Sequence, residues 1–176
     1  MKKLLLLYIC FSGIIYAGTS KGRTVKPVNM PYNIFIKATG ATSLAEISKA
    51  ILLALQTDNA GQLTSYYPSD QEITTLRQLG SEDMKAVLEN QSATDLQNSF
   101  ETDLQKIVQE GVSKTLNWSE LLVSDTKTGK GTSKNSVLFP VETILQTKQN
   151  QPVSLVYEVI KLKNRYYLFR GIRLKS

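Results

Sequence analysis

The chain has 176 residues, 41% of them hydrophobic, 20% charged and 8% aromatic, which is the makeup of one globular domain and excludes a disordered, collagen-like or coiled-coil chain. It holds no histidine and a single cysteine, so His-based catalysis, Cys/His metal sites and an intramolecular disulfide are excluded. Acid–base chemistry would fall to carboxylates, Tyr or Lys, and no motif calls for a cofactor.

Lys2 and Lys3 precede an apolar run over 4–11 and 14–17 that closes on the small residue Ala17, the pattern of a signal peptide over 1–17. Ser12 and Gly13 break the run, and it stops short of the ~20 residues that a spanning helix needs. The reading that makes Cys10 an acylated anchor fits less well, because bulky Ile9 stands before it. Cleavage would remove two lysines and no acid, taking the net charge from +6 to +4, and would leave no cysteine and no membrane span. That predicts an exported, periplasmic or extracellular protein, and the lack of cysteine fits a bacterial one. So small an excess, on scattered Lys and Arg, argues against nucleic acid as a partner.

Residues 18–42, with Gly18, Gly22, Pro27, Pro31 and Gly40, read as an extended leader in which 33–37 could pair as a short strand. From Ser43 the pattern turns helical. Ser43 and Glu46 form a capping box, and Leu44, Ile47, Ile51, Leu52 and Leu55 follow on one face, predicting a helix over 44–57. Asp58 to Gly61 should close it. Ser69 and Glu72 open a second helix, Ser81 caps a third carrying Met84, Val87 and Leu88, and a fourth should run over 94–112 with Leu96, Phe100, Leu104, Ile107 and Val108 on one stripe.

After Thr115 the period becomes two, predicting strands over 121–124, 137–147, 153–162 and 166–174. Helices followed by strands argue for a single α+β domain over 43–176, its N-terminal helices packed on a curved antiparallel sheet of about four strands. A three-residue loop at 163–165 would set Leu162 against Tyr166, Ile160 against Leu168 and Glu158 against Arg170. A turn at 148–150 would set Thr147 against Gln151 and stack Phe139, Val159 and Phe169 in a row, with Leu138, Ile160 and Leu168 on the other face. Pro140 and Gly171 are the expected sites of bulges or bends. Both faces then carry apolar rows, so something must cover the second: a curled pocket, the leader, or a second copy in a homodimer through the sheet.

This order of elements resembles the nuclear transport factor 2-like and cystatin-like group of α+β folds, including its exported bacterial domains. The residues that carry the likeness are 45–58, Leu116 to Ser119, and the hairpin formed by 155–159 and 166–170. The resemblance implies a cystatin-like roll, a cavity between helices and sheet, and frequent dimerisation through the sheet. Enzymatic members use Asp/His or Tyr/Asp sites in that cavity, and this chain has no histidine to supply.

The candidate ligand-binding residues are Glu142, Glu158 and Arg170, a mixed face able to orient a polar ligand, with Trp118 and Tyr67 as aromatic walls. Core packing and rim aromatics are the plainer roles for Trp118 and Tyr67, and a cross-strand ion pair the plainer role for Glu158 and Arg170. No catalytic or metal-ligating set is assigned. A buried Glu158 beside a free cavity would favour an enzyme using it as a base; an exposed Glu158 bridged to Arg170 would argue against one. The run 125–133, with its Gly129 and Gly131, reads as a turn and not a phosphate cradle. The partner expected is a small or peptide-like ligand, or an envelope protein.

Overall fold

A computed structural model describes residues 39–129, 137–147 and 151–175, so the predicted signal, the leader strand at 33–37 and the turn at 148–150 lie outside the described residues. Helix α1 spans Leu44–Thr57. Ser43 Oγ accepts from the Glu46 N–H at 3.2 Å as the box requires, but the Glu46 carboxylate turns to the Thr42 N–H at 2.8 Å. The reciprocal bond is thus made one residue early. Left-handed Asp58 ends the helix, and a 3-10 segment at Ala60–Tyr66, not foreseen in the sequence, follows with Asn59 capping the Gly61 N–H at 2.9 Å.

Helix α2 (Asp70–Leu79) carries the full box between Ser69 and Glu72, and Ser81 caps α3 (Glu82–Leu88). Helix α4 (Ala93–Ser113) is opened by a second full box, Ser92 with Asp95. Each cap satisfies backbone amides that the first turn of a helix leaves without partners.

The strands are β1 (Leu122–Thr128), β2 (Leu138–Gln146), β3 (Pro152–Leu162) and β4 (Arg165–Leu174). They form one open antiparallel sheet in the order β1-β2-β3-β4, so the fold is α+β as the sequence predicts. Strand β1 takes in residues 125–128, which the sequence reading assigned to a turn, because Asp125, Thr126, Lys127 and Thr128 pair with Ile144, Thr143, Glu142 and Val141.

The predicted β3–β4 register is corrected near the turn. Leu162 faces Arg165, so the turn has two residues, and Lys163, not Asn164, adopts the left-handed backbone with φ 52°. Ile160 therefore faces Tyr167 and Val159 faces Leu168. The register then slips between Val159 and Glu158, where Phe169 is the extra residue, and Glu158 meets Arg170 as predicted. Phe139 pairs with Val159, but Leu168, not Phe169, completes their row. A second slip sets Gly171 and Ile172 against Tyr157, and Gly171 supplies the φ of +73° that this bulge uses. Pro140 makes no bulge: it pairs regularly with Glu158. Its carbonyl accepts from the Gly129 N–H at 2.9 Å, and with no N–H to return the bond it closes the β1–β2 ladder.

The helices divide between the two faces of the sheet. Val141, Leu145, Leu155, Tyr157 and Val159 pack with Ile47, Ile51 and Leu55 of α1 and with Phe100, Leu104 and Ile107 of α4. Ile160 and Leu162 alternate with those strand residues, so they point to the other face, where they join Tyr167 and Phe169 against Ile73, Leu76, Met84, Leu88 and Leu96. The protein's own α2 and α3, with Leu96 near the start of α4, therefore cover the apolar end of the second face. Beyond that end the same face carries Glu142, Ile144, Ser154 and Val156, all half-buried, with Arg170 and Arg173 exposed.

Candidate functional site

The five residues singled out in the sequence fall into two places. Glu158 and Arg170 meet on the outer face, Arg170 Nε donating to Glu158 Oε2 at 2.6 Å. The side chains keep 33% and 44% of their surface in water, so Glu158 is neither enclosed nor free. Glu142 lies on the same face but pairs with Lys175 Nζ at 3.0 Å. Lys175, together with the Ser154 hydroxyl, donates to Glu142 and holds its carboxyl below the usual carboxylate range.

Trp118 and Tyr67 lie on the opposite, helix-packed face and do not join this group. Tyr67 meets Phe100 edge-on at 5.9 Å and is 4% exposed. Its phenol has no partner among the described residues, and burial, with the Glu101 charge adding to it, pushes the phenol far up. Trp118 lies against Gly111, where a Cβ would come within 2.5 Å of the indole, so close approach requires glycine there.

A groove of about 370 Å³ opens where β3 begins and β4 stops, and it includes Glu142. Leu116, Val153 and Leu174 give it apolar walls, Pro152 and Ser154 one edge, and Lys114 and Lys175 cations on two sides. Two local structures build it. Thr115 takes a left-handed backbone, φ 56°, and the Leu116 N–H returns to the Gly111 carbonyl at 2.8 Å, which places Lys114 and Leu116 beyond the end of α4. A β-branched residue in that region is strained, by about 1–2 kcal/mol. On the other side the Lys175 N–H binds the Ser154 carbonyl at 2.8 Å, fixing the end of β4 on β3. The sequence reading missed Lys114, Leu116, Ser154 and Lys175, since no glycine marks the turn after α4 and Lys175 lies outside the predicted strand.

Two further polar groups tie the layers together. Under α1, Ser48 Oγ lies 2.9 Å from Thr126 Oγ1, 2.8 Å from Thr143 Oγ1 and 3.0 Å from the Tyr157 hydroxyl. On the other side, Tyr167 and Thr39 both donate to the Glu72 carboxylate. Burial would raise Glu72, but these donors and Ser69 outweigh it and keep the carboxyl below its usual range. Among the described residues no three His, Cys, Asp or Glu gather as metal ligands, and no helix is long and apolar enough to cross a membrane.

No known family model matches the chain, and a search of curated proteins finds no matching relative.

Proposed function

We propose that this chain is an exported, non-enzymatic binding module that holds a small or peptide-like ligand in the groove beside Glu142. The observation that carries the reading is the groove itself: apolar walls from Leu116, Val153 and Leu174 next to charged groups from Lys114, Glu142 and Lys175. Its volume is near the lower end of the ~300–1,000 Å³ typical of ligand sites. Export is supported by the basic and apolar pattern of residues 1–17. The resemblance to nuclear transport factor 2-like and cystatin-like domains is part of this proposal, supported by the order of helices and strands. The alternative in which Glu158 acts as a general base is not favoured, since Glu158 is half-exposed and held by Arg170.

A low-molecular-mass extract of the host envelope, titrated into the 15N-labelled chain as its host processes it, tests the reading. Amide shifts should cluster on Leu116, Val153, Ser154 and Leu174; shifts confined to other surfaces would contradict it. A second reading, a homodimer through the sheet, is favoured by Leu122, 68% exposed, lying on the same face as Ile144 and Val156. Light scattering that gives twice the chain mass, lost on Leu122→Asp, would support it.

A further inference from the structure

We propose that the groove beside Glu142 receives the C-terminal end of a peptide, with an apolar last residue against Leu116, Val153 and Leu174 and the terminal carboxylate between Lys114 and Lys175. The inference rests on the binding-module reading and names its ligand class. Three kinds of chemistry meet in the groove, and a peptide terminus answers all three.

The apolar walls take a side chain. Leu174 is buried and Leu116 and Val153 half-buried, so a branched aliphatic group completes a contact already started. The two ammonium groups take the carboxylate. Lys114 comes from the end of α4 and Lys175 from the end of β4, and among the described residues each pairs with an acid on its own side, Glu110 at 2.7 Å and Glu142 at 3.0 Å. Both lysines stay solvated, so a ligand carboxylate can exchange with these acids without a buried charge being stripped of its partner.

Glu142 and Ser154 take the peptide backbone. The Glu142 carboxylate can accept from an amide N–H, and the Ser154 hydroxyl, which donates to Glu142, keeps lone pairs that can accept a second one. A fatty acid would satisfy the lysines and the apolar walls but would leave Glu142 facing methylene groups.

The test titrates the 15N-labelled chain with acetyl-Ala-Ala-Leu, with the same peptide as its C-terminal amide, and with dodecanoate. The free acid should shift the amides of Leu116, Val153, Ser154 and Leu174, and the amide should bind at least about tenfold more weakly, the loss of a charge-assisted contact. Lys114→Met and Lys175→Met should each weaken the acid and bring it toward the affinity of the amide. Equal affinity for acid and amide would overturn the proposal. Dodecanoate in the groove without peptide binding would overturn the ligand class and leave the binding module standing; no shift there with any probe or with the envelope extract would overturn both.

Discussion

Arg170 donates to Glu158 across β3 and β4 at 2.6 Å, and its guanidinium also lies 5.3 Å from the Phe169 ring. With a third or more of each side chain in water, the pair gains little from Coulomb attraction and works as a surface clamp over the bulge. Arg170→Ala and Glu158→Gln should each change stability by about 1 kcal/mol or less, with a coupling under ~1 kcal/mol in a double-mutant cycle read by urea unfolding. Groove binding should not change, and a coupling several times larger would show a desolvated pair.

The hydroxyls of Ser48, Thr143 and Tyr157 lie within 3.0 Å of one another in the core, and Ser48 also reaches the Leu44 carbonyl at 3.0 Å. Ser48 is common to most of these contacts, so its loss leaves two buried hydroxyls sharing one bond. Ser48→Ala should cost about 1–3 kcal/mol, whereas Tyr157→Phe should cost less because Ser48 and Thr143 keep each other. Urea unfolding of the two variants checks the order, and a reversed order would contradict the network.

Alkaline pH should unfold the protein through its tyrosines. Burial, then donation to Glu72, pushes the Tyr167 phenol up from 10.0 to about 12, and burial also raises Tyr157. The folded state thus prefers the protonated phenol: its contribution is complete below pH 10 and is lost as pH rises toward 12. Absorbance at the tyrosinate band should show part of the phenols titrating only together with loss of ellipticity. Titration of every tyrosine near its ordinary value, with the fold intact, would contradict the burial.

Thr115→Gly should stabilise the fold by about 1 kcal/mol in thermal unfolding, because glycine takes the left-handed backbone without strain. No gain would mean that Thr115 is not strained.

Gly111→Ala should act the other way. Its Cβ would fall within 2.5 Å of Trp118, and Trp118 is the sole tryptophan, so tryptophan emission reports on the surroundings of that one side chain. A loss of about 1–3 kcal/mol with a shifted emission maximum is expected, as for other overpacked cores. Unchanged emission would contradict this packing.

The helices were legible because their starts are written in local chemistry: Ser43, Ser69 and Ser81 each accept from an amide three residues on. The pairing of Glu158 with Arg170 was legible too, though for an incomplete reason. The expected three-residue turn is a two-residue one, and the bulge at Phe169 restores the pairing farther along the strands. Phe169, the extra residue, packs with residues of α2 and α3, and strand periodicity does not encode that packing. The same limit hid what covers the second face: Ile73, Leu76 and Leu88 look alike whether their helix packs on one side of a sheet or the other. The groove was the least legible part, since it joins Lys114, Glu142 and Lys175 from three separate stretches of chain.

Whether the groove beside Glu142 holds a ligand is decided by native mass spectrometry of the chain purified from its own host, under gentle and then denaturing conditions, beside a Ser154→Trp variant whose indole fills the groove. An added mass on the parent chain that denaturation releases and that the variant lacks is expected, with the melting curve little changed. A bare mass for the parent, or an added mass that Ser154→Trp retains, would contradict it.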